Sequence, residues 1–112
     1  LAAHPDDAEL GMGATIALLS EKGYDILVID ITDGEPTPCG DSVTRKKESS
    51  EAAGKLGFRR ITLEYPNREL EYSLDKRDAL AAIIRDFMPV STYYFAFFNA
   101  TFLLSLLPEK SL

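Results

Sequence analysis

Histidine and cysteine are nearly absent from this sequence, and cations are scarce. There is one histidine, His4, and one cysteine, Cys39, in 112 residues. A single cysteine cannot close an internal disulfide, so nothing in the chain asks for an oxidising compartment and the cytoplasm is the default expectation. Lysine and arginine number 12 against 18 acidic residues, a net charge of −6, and basic runs such as Lys46-Lys47 and Arg59-Arg60 are short. That balance excludes a nucleic-acid partner, whose phosphates would need clustered cations. No signal-peptide pattern opens the chain. The sequence starts at Leu1 without methionine on a three-residue apolar run, so the expectation is a fragment whose first strand begins upstream.

What is present is enough apolar material for one small domain, with 46% hydrophobic residues. Leu1 to Ala3 reads as the end of a strand that stops at His4-Pro5. A helix from Asp6 or Asp7 to Lys22 follows, with Gly23 as its stop. It is apolar almost all round, which predicts a largely buried helix. Gly11 and Gly13 in its first turns predict a close approach to a strand or ligand.

Ile26 to Ile31 is a continuous apolar, β-branched run interrupted only by Asp30, as in a central parallel strand covered on both faces. It ends in the turn Thr32-Asp33-Gly34-Glu35-Pro36, followed by a loop from Thr37 to Ser42 that holds Cys39. Asp41, Ser42 and Thr44 are cap candidates for a second helix that ends at Gly57 and turns Ala52, Ala53 and Leu56 inward. Arg60 to Tyr65 alternates like a strand and is broken by Pro66-Asn67. Ser73 caps a third helix with Leu80, Ile83, Ile84 and Phe87 on one face, and it stops before Pro89. The order β-α-β-α-β-α defines an α/β fold, a parallel sheet with helices on both faces.

After Pro89 the texture changes. Val90 to Leu107 carries no charge. Tyr93 to Phe98 reads as a fourth strand and Phe102 to Leu107 as apolar surface in need of cover. A bilayer-spanning segment is the competing reading, weakened by five interspersed Ser, Thr and Asn residues.

The chemistry concentrates at His4-Pro5-Asp6-Asp7. Imidazole and carboxylate are zinc ligands, and a neighbouring free carboxylate can accept a proton from water. The same residues also make an ordinary strand-to-helix turn, with proline fixing φ and aspartate capping the helix. In an open parallel sheet the ligand site lies at the loops leaving the C-terminal strand ends, and both His4-Pro5-Asp6-Asp7 and Thr32-Asp33-Gly34-Glu35 occupy such loops. Arg45, in the first turn of the second helix, reads by charge pattern alone as a solvated surface arginine.

Taken together, Ala3-His4-Pro5-Asp6-Asp7-Ala8-Glu9-Leu10-Gly11-Met12-Gly13, Thr32-Asp33-Gly34-Glu35, Thr44-Arg45-Lys46-Lys47-Glu48 and Tyr65-Pro66-Asn67-Arg68-Glu69-Leu70 resemble the LmbE-like or PIG-L family of zinc-dependent de-N-acetylases. The resemblance covers residues 1 to about 89 of one incomplete domain and leaves 90–112 as an atypical apolar tail. It implies a Rossmann-like three-layer α/β/α fold with a mostly parallel sheet. It also implies Zn2+ held by His4 and Asp7, Asp6 as general base, and Arg45 on the substrate, an N-acetylated sugar conjugate of the N-acetylglucosamine type. A membrane partner is not expected, and a second copy of the chain is a candidate partner.

The sequence departs from the family pattern in lacking a later His-Pro-Asp-His motif, which would supply a third zinc ligand. Asp33, Glu35 and Cys39 are the only substitutes at hand. A segment missing or altered near residues 88–93 is one explanation. The alternative function is a non-catalytic α/β binding or interaction module that has lost its third ligand.

Overall fold

A computed structural model describes residues 1–35 and 41–94. Helix α1 spans Asp7–Glu21, strand β1 Leu27–Thr32, helix α2 Ser42–Leu56, strand β2 Arg59–Tyr65 and helix α3 Leu74–Phe87, with a 3-10 turn at Asn67–Glu69. β1 and β2 pair in parallel, from Leu27 opposite Arg59 to Thr32 opposite Tyr65. Ala2 adds a parallel bridge to Asp30, its N–H donating to the Ile29 carbonyl at 2.9 Å and its carbonyl accepting from Ile31 at 2.9 Å. The expected first strand is present as that bridge on the far side of β1.

The sheet divides the core in two. Val28 on one face of β1 packs with Ala8 and Ile16 of α1, Ala53 of α2 and Phe58. Ile29 and Ile31 on the other face pack with Leu80 of α3, flanked by Ile83 and Ile84. Alternate side chains of one strand thus feed helices above and below, which makes the three-layer α/β arrangement that the run from Ile26 to Ile31 predicts.

Local signals fix the helix ends. The Asp41 carboxylate accepts from the N–H groups of Val43 and Thr44, and Gly57 closes α2 at φ 73. Ser73 accepts from Lys76 at the start of α3.

α1 departs from expectation. Ala8 and Ile16 are buried, but Leu10 is 83% and Leu18 51% exposed. A helix lying on one face of a sheet buries a single stripe, so all-round apolarity does not become all-round burial among the described residues. Nor is there a close approach at Gly13, which has nothing within 4 Å of where a side chain would start. The glycine with a tight neighbour at the strand ends is Gly34, described below.

Of the expected fourth strand, Tyr93 and Tyr94 are exposed and lie in no strand, while 95–98 fall outside the described residues. The apolar stretch Phe102 to Leu107, Pro36 and Cys39 fall outside them too. No helix among the described residues is long and apolar enough to cross a membrane.

Candidate active site at the strand ends

Three chain segments meet beyond the C-terminal ends of the strands, tied by backbone and hydroxyl hydrogen bonds. Thr32 donates from its N–H to the Ala3 carbonyl at 3.0 Å and from Oγ1 to the same carbonyl at 2.8 Å. Oγ1 in turn accepts from the Gly34 N–H at 3.3 Å, so the turn after β1 is stitched to the residue before His4. The Asn67 N–H donates to the Glu35 carbonyl at 3.2 Å, bringing in the segment after β2. Between Asp30 and Thr32 the register shifts against β2, and Glu64 there takes φ 56. A bulge of this kind re-aims the end of a strand, here toward His4.

At the junction lie His4 and Asp7. Asp7 Oδ2 accepts from the His4 N–H at 3.1 Å and stands 3.3 Å from His4 Nδ1. His4 Nε2 meets Asn67 Oδ1 at 2.6 Å. Both side chains are about a quarter to a third exposed, 33% for His4 and 23% for Asp7. Asp6 sits at the N-cap position of α1 but makes no side-chain cap bond. The turn reading of Asp6 therefore does not account for its carboxylate, and Asp6 lines a cavity of about 300 Å³ together with Pro5, Glu9, Leu10, Arg45 and Glu48.

Arg45 is not a solvated surface residue. Its guanidinium lies against Gly34, where an added Cβ would fall 2.5 Å from one of its nitrogens and 3.3 Å from Pro5. Gly34 also has φ 76, a backbone conformation that favours glycine. Arg45 borders a second cavity of about 520 Å³ lined by Asp33, Glu35, Ser49, Thr62 and Glu64 among others. Ser49 Oγ donates to the Pro5 carbonyl at 3.3 Å and holds α2 against the His4 loop. Of the four residues singled out from sequence, Asp6 and Arg45 line the smaller cavity together, whereas His4 and Asp7 pair with each other and line neither cavity.

Beneath them is a cluster that sequence reasoning missed. Arg60 of β2 donates from one terminal nitrogen to both Glu9 oxygens at 2.6 and 2.7 Å and from the other to the Ser49 carbonyl at 2.8 Å. Its Nε lies 3.0 Å from Asp30 Oδ2, off the hydrogen-bond axis. Thr62 Oγ1 donates to the same Asp30 oxygen at 3.3 Å. The Arg60 guanidinium rests 5.1 Å above the Phe58 ring. Asp30 is fully buried, and burial pushes its carboxyl up to about 6 against the pull of Arg60. The available signal was an aspartate inside an apolar strand run, which needs a buried partner.

The donor chemistry can be tested against zinc. Two ligands about 2.0–2.1 Å from a tetrahedral zinc lie roughly 3.3 Å apart. The His4 Nδ1 to Asp7 Oδ2 separation of 3.3 Å fits that spacing. Among the described residues no group of three His, Cys, Asp or Glu side chains is arranged to hold a metal. Asp33 Oδ1 is engaged by the Glu35 N–H at 2.8 Å, and Cys39 lies outside the described residues. The pair fits as two ligands of an ion.

The site thus consists of a parallel α/β sheet with polar loops converging on one edge, a histidine-aspartate pair, and an adjacent carboxylate that makes no cap bond. The chain belongs to the PIG-L family, whose model, described as GlcNAc-PI de-N-acetylase, matches residues 1–100. It is similar to the diacetylchitobiose deacetylase of Thermococcus kodakarensis, 31% identical over 94 residues, covering 77% of this chain and 35% of that protein. It is also similar to the uncharacterized deacetylase YaiS of Escherichia coli K12, 36% identical over 91 residues, covering 80% of this chain and 49% of that one. The solved N,N'-diacetylchitobiose deacetylase of Pyrococcus horikoshii, in complex with its inhibitor MPG, superposes with a TM-score of 0.72 at 35% identity. That match covers 79% of this chain and 36% of that one. The chain therefore spans about a third to a half of the length of these relatives.

Proposed function

We propose that the protein acts as a zinc-dependent de-N-acetylase on an N-acetylated amino-sugar conjugate, with His4 and Asp7 holding the ion. The observation that carries this reading is the His4-Asp7 pair at ligand spacing beside the uncapping Asp6 carboxylate. A bound zinc ion would lower the pKa of water toward ~7 and polarise the acetamide carbonyl. Asp6 lies next to the pair in sequence and outside it in bonding, so its carboxylate is the group to take a proton from the attacking water. Once protonated, Asp6 can return that proton to the leaving amine nitrogen. Arg45, whose guanidinium lies against Gly34, offers donors to substrate oxygens. The larger cavity supports a hydroxyl-rich substrate, since Ser42, Ser49, Ser50 and Thr62 line it beside acids and bases of both signs. The deacetylase names of the relatives support amide hydrolysis, and the diacetylchitobiose deacetylases support a sugar substrate. The cytoplasm fits a chain with one cysteine.

A second reading, a non-catalytic binding module, is favoured by the two-donor set among the described residues. The Asp6→Asn variant separates the two. Under the enzyme reading it retains stoichiometric zinc and loses acetate release from an N-acetylglucosamine conjugate by about 10²–10⁴-fold. Wild-type protein that binds no zinc and releases no acetate would support the binding module.

A further inference from the structure

We propose that Asn67 is the positioning residue for His4, holding its imidazole as the Nε2–H tautomer so that Nδ1 faces Asp7 with a lone pair. The contact carrying this is long in sequence and short in space, 2.6 Å between His4 Nε2 and Asn67 Oδ1 across 63 residues. An amide oxygen can only accept, so the proton in that bond belongs to Nε2. A neutral ring then has no proton at Nδ1, and its lone pair stands 3.3 Å from a carboxylate oxygen. Two electron-rich atoms at that distance repel unless a cation, a proton or a metal ion, lies between them. Both atoms are placed to hold one cation, and the identity of that cation rests on the proposed function.

Asn67 is itself held in place. Its N–H donates to the Glu35 carbonyl at 3.2 Å, and it opens the 3-10 turn Asn67–Glu69 directly after Pro66, whose φ of −58 is set by its ring. A register shift in β2, with Glu64 at φ 56, precedes this turn. The side chain therefore reaches His4 from a fixed backbone, as a partner of a metal-ligating histidine generally does.

His4 is the single histidine of the sequence, so its two ring nitrogens give an unambiguous pair of 15N resonances. The experiment is a long-range 1H–15N spectrum of metal-free protein labelled at histidine, at about pH 8 where an ordinary imidazole is neutral. A zinc-competition titration of the same samples accompanies it. Wild type is expected to show a protonated Nε2 and an unprotonated Nδ1. Asn67→Ala is expected to lose that single tautomer and to bind zinc about 10–100-fold more weakly. Asn67→Asp, which keeps an acceptor oxygen in place, is expected to restore both. The proposal is overturned by a wild-type ring protonated at Nδ1, which would mean that the amide nitrogen faces the ring. It is equally overturned by an Asn67→Ala variant with tautomer and zinc affinity unchanged. A wild-type Nε2–H tautomer without zinc binding would overturn the proposed function while supporting the role of Asn67. The wild-type spectrum and Asn67→Asp keep the question decidable if Asn67→Ala does not fold.

Discussion

Two polar clusters lie within a few residues of one another at the start of α1, and they differ in what their side chains have left to do. The inner one, Glu9, Arg60 and Asp30, is buried, with Arg60 only 8% and Asp30 0% exposed, and the guanidinium is engaged on three sides. The outer one, His4, Asp7 and Asp6, is half open, and the Asp6 carboxylate is not spent on capping the helix. Charge and proximity are common to both. Saturation and burial separate a network that holds a helix on a sheet from a group of side chains able to take a ligand. Glu9 and Asp7 share the first turns of α1, so the inner cluster fixes the position of the helix whose first residue belongs to the outer one.

The sharpest way to break this division is Arg60→Ala. Removing the guanidinium leaves the Asp30 and Glu9 carboxylates and the Ser49 carbonyl without their cation, and breaking a buried ion pair from one side costs about 3–5 kcal/mol. Urea unfolding of the variant is expected to show a loss of that size, or no folded state. By contrast Asp6→Asn should leave the urea midpoint nearly unchanged while removing acetate release. An Arg60→Ala variant as stable as wild type would put the inner cluster among surface ion pairs and end the distinction.

Much of this was legible in the sequence, and what was not follows a physical pattern. Asp41, Gly57 and Ser73 mark helix ends because capping is decided by one residue and its immediate neighbours. The run from Ile26 to Ile31 marks a doubly covered strand for the same local reason, and β1 lies one residue further on, at Leu27–Thr32. The motif around His4 is local too, and the family match agrees with the resemblance it suggested. Asn67 and Arg60 were invisible because their partners lie 63 and 51 residues away, and nothing in a turn asparagine or a strand arginine names the other end. Arg45 was read as solvated from charge alone, whereas its setting depends on Gly34 in another loop. The error at α1 had the opposite source, since composition gives the apolar character of a helix but not how many layers will cover it.

A smaller effect sharpens the inner cluster. The Asp30 carboxyl is raised from 3.8 to about 6 because burial outweighs the attraction of Arg60. The folded state therefore binds this proton more tightly than the unfolded chain. Between about pH 4 and pH 6 stability should fall as pH rises, with the loss complete above the folded value. Two pKa units correspond to a contribution of roughly 3 kcal/mol. Asp30→Asn removes the titration, so its stability relative to wild type is expected to improve by that amount between pH 4 and pH 7 in paired urea titrations. A gap that stays constant across the range would show that Asp30 ionises in the fold as it does in the unfolded chain.

The least effect is expected one residue away, and it isolates burial as the variable. Arg59 and Arg60 are neighbours on opposite faces of β2, and each binds a carboxylate through two bonds, the shorter being 2.6 Å in both cases. Arg59 pairs with Asp25 at 61% and 69% exposure, whereas Arg60 pairs with Glu9 at 8% and 18%. Bond geometry alone would make the two pairs equal. Water around the outer pair screens its attraction and solvates either partner when the other is removed, so no stranded charge results. Arg59 also keeps its stacking over Phe87, 5.1 Å from the ring centre, when the carboxylate is gone. Asp25→Ala should therefore cost less than about 1 kcal/mol in urea unfolding, with even that difference fading in 1 M salt. A cost matching that of Arg60→Ala would mean that hydrogen-bond geometry, and not desolvation, sets the worth of ion pairs on this strand.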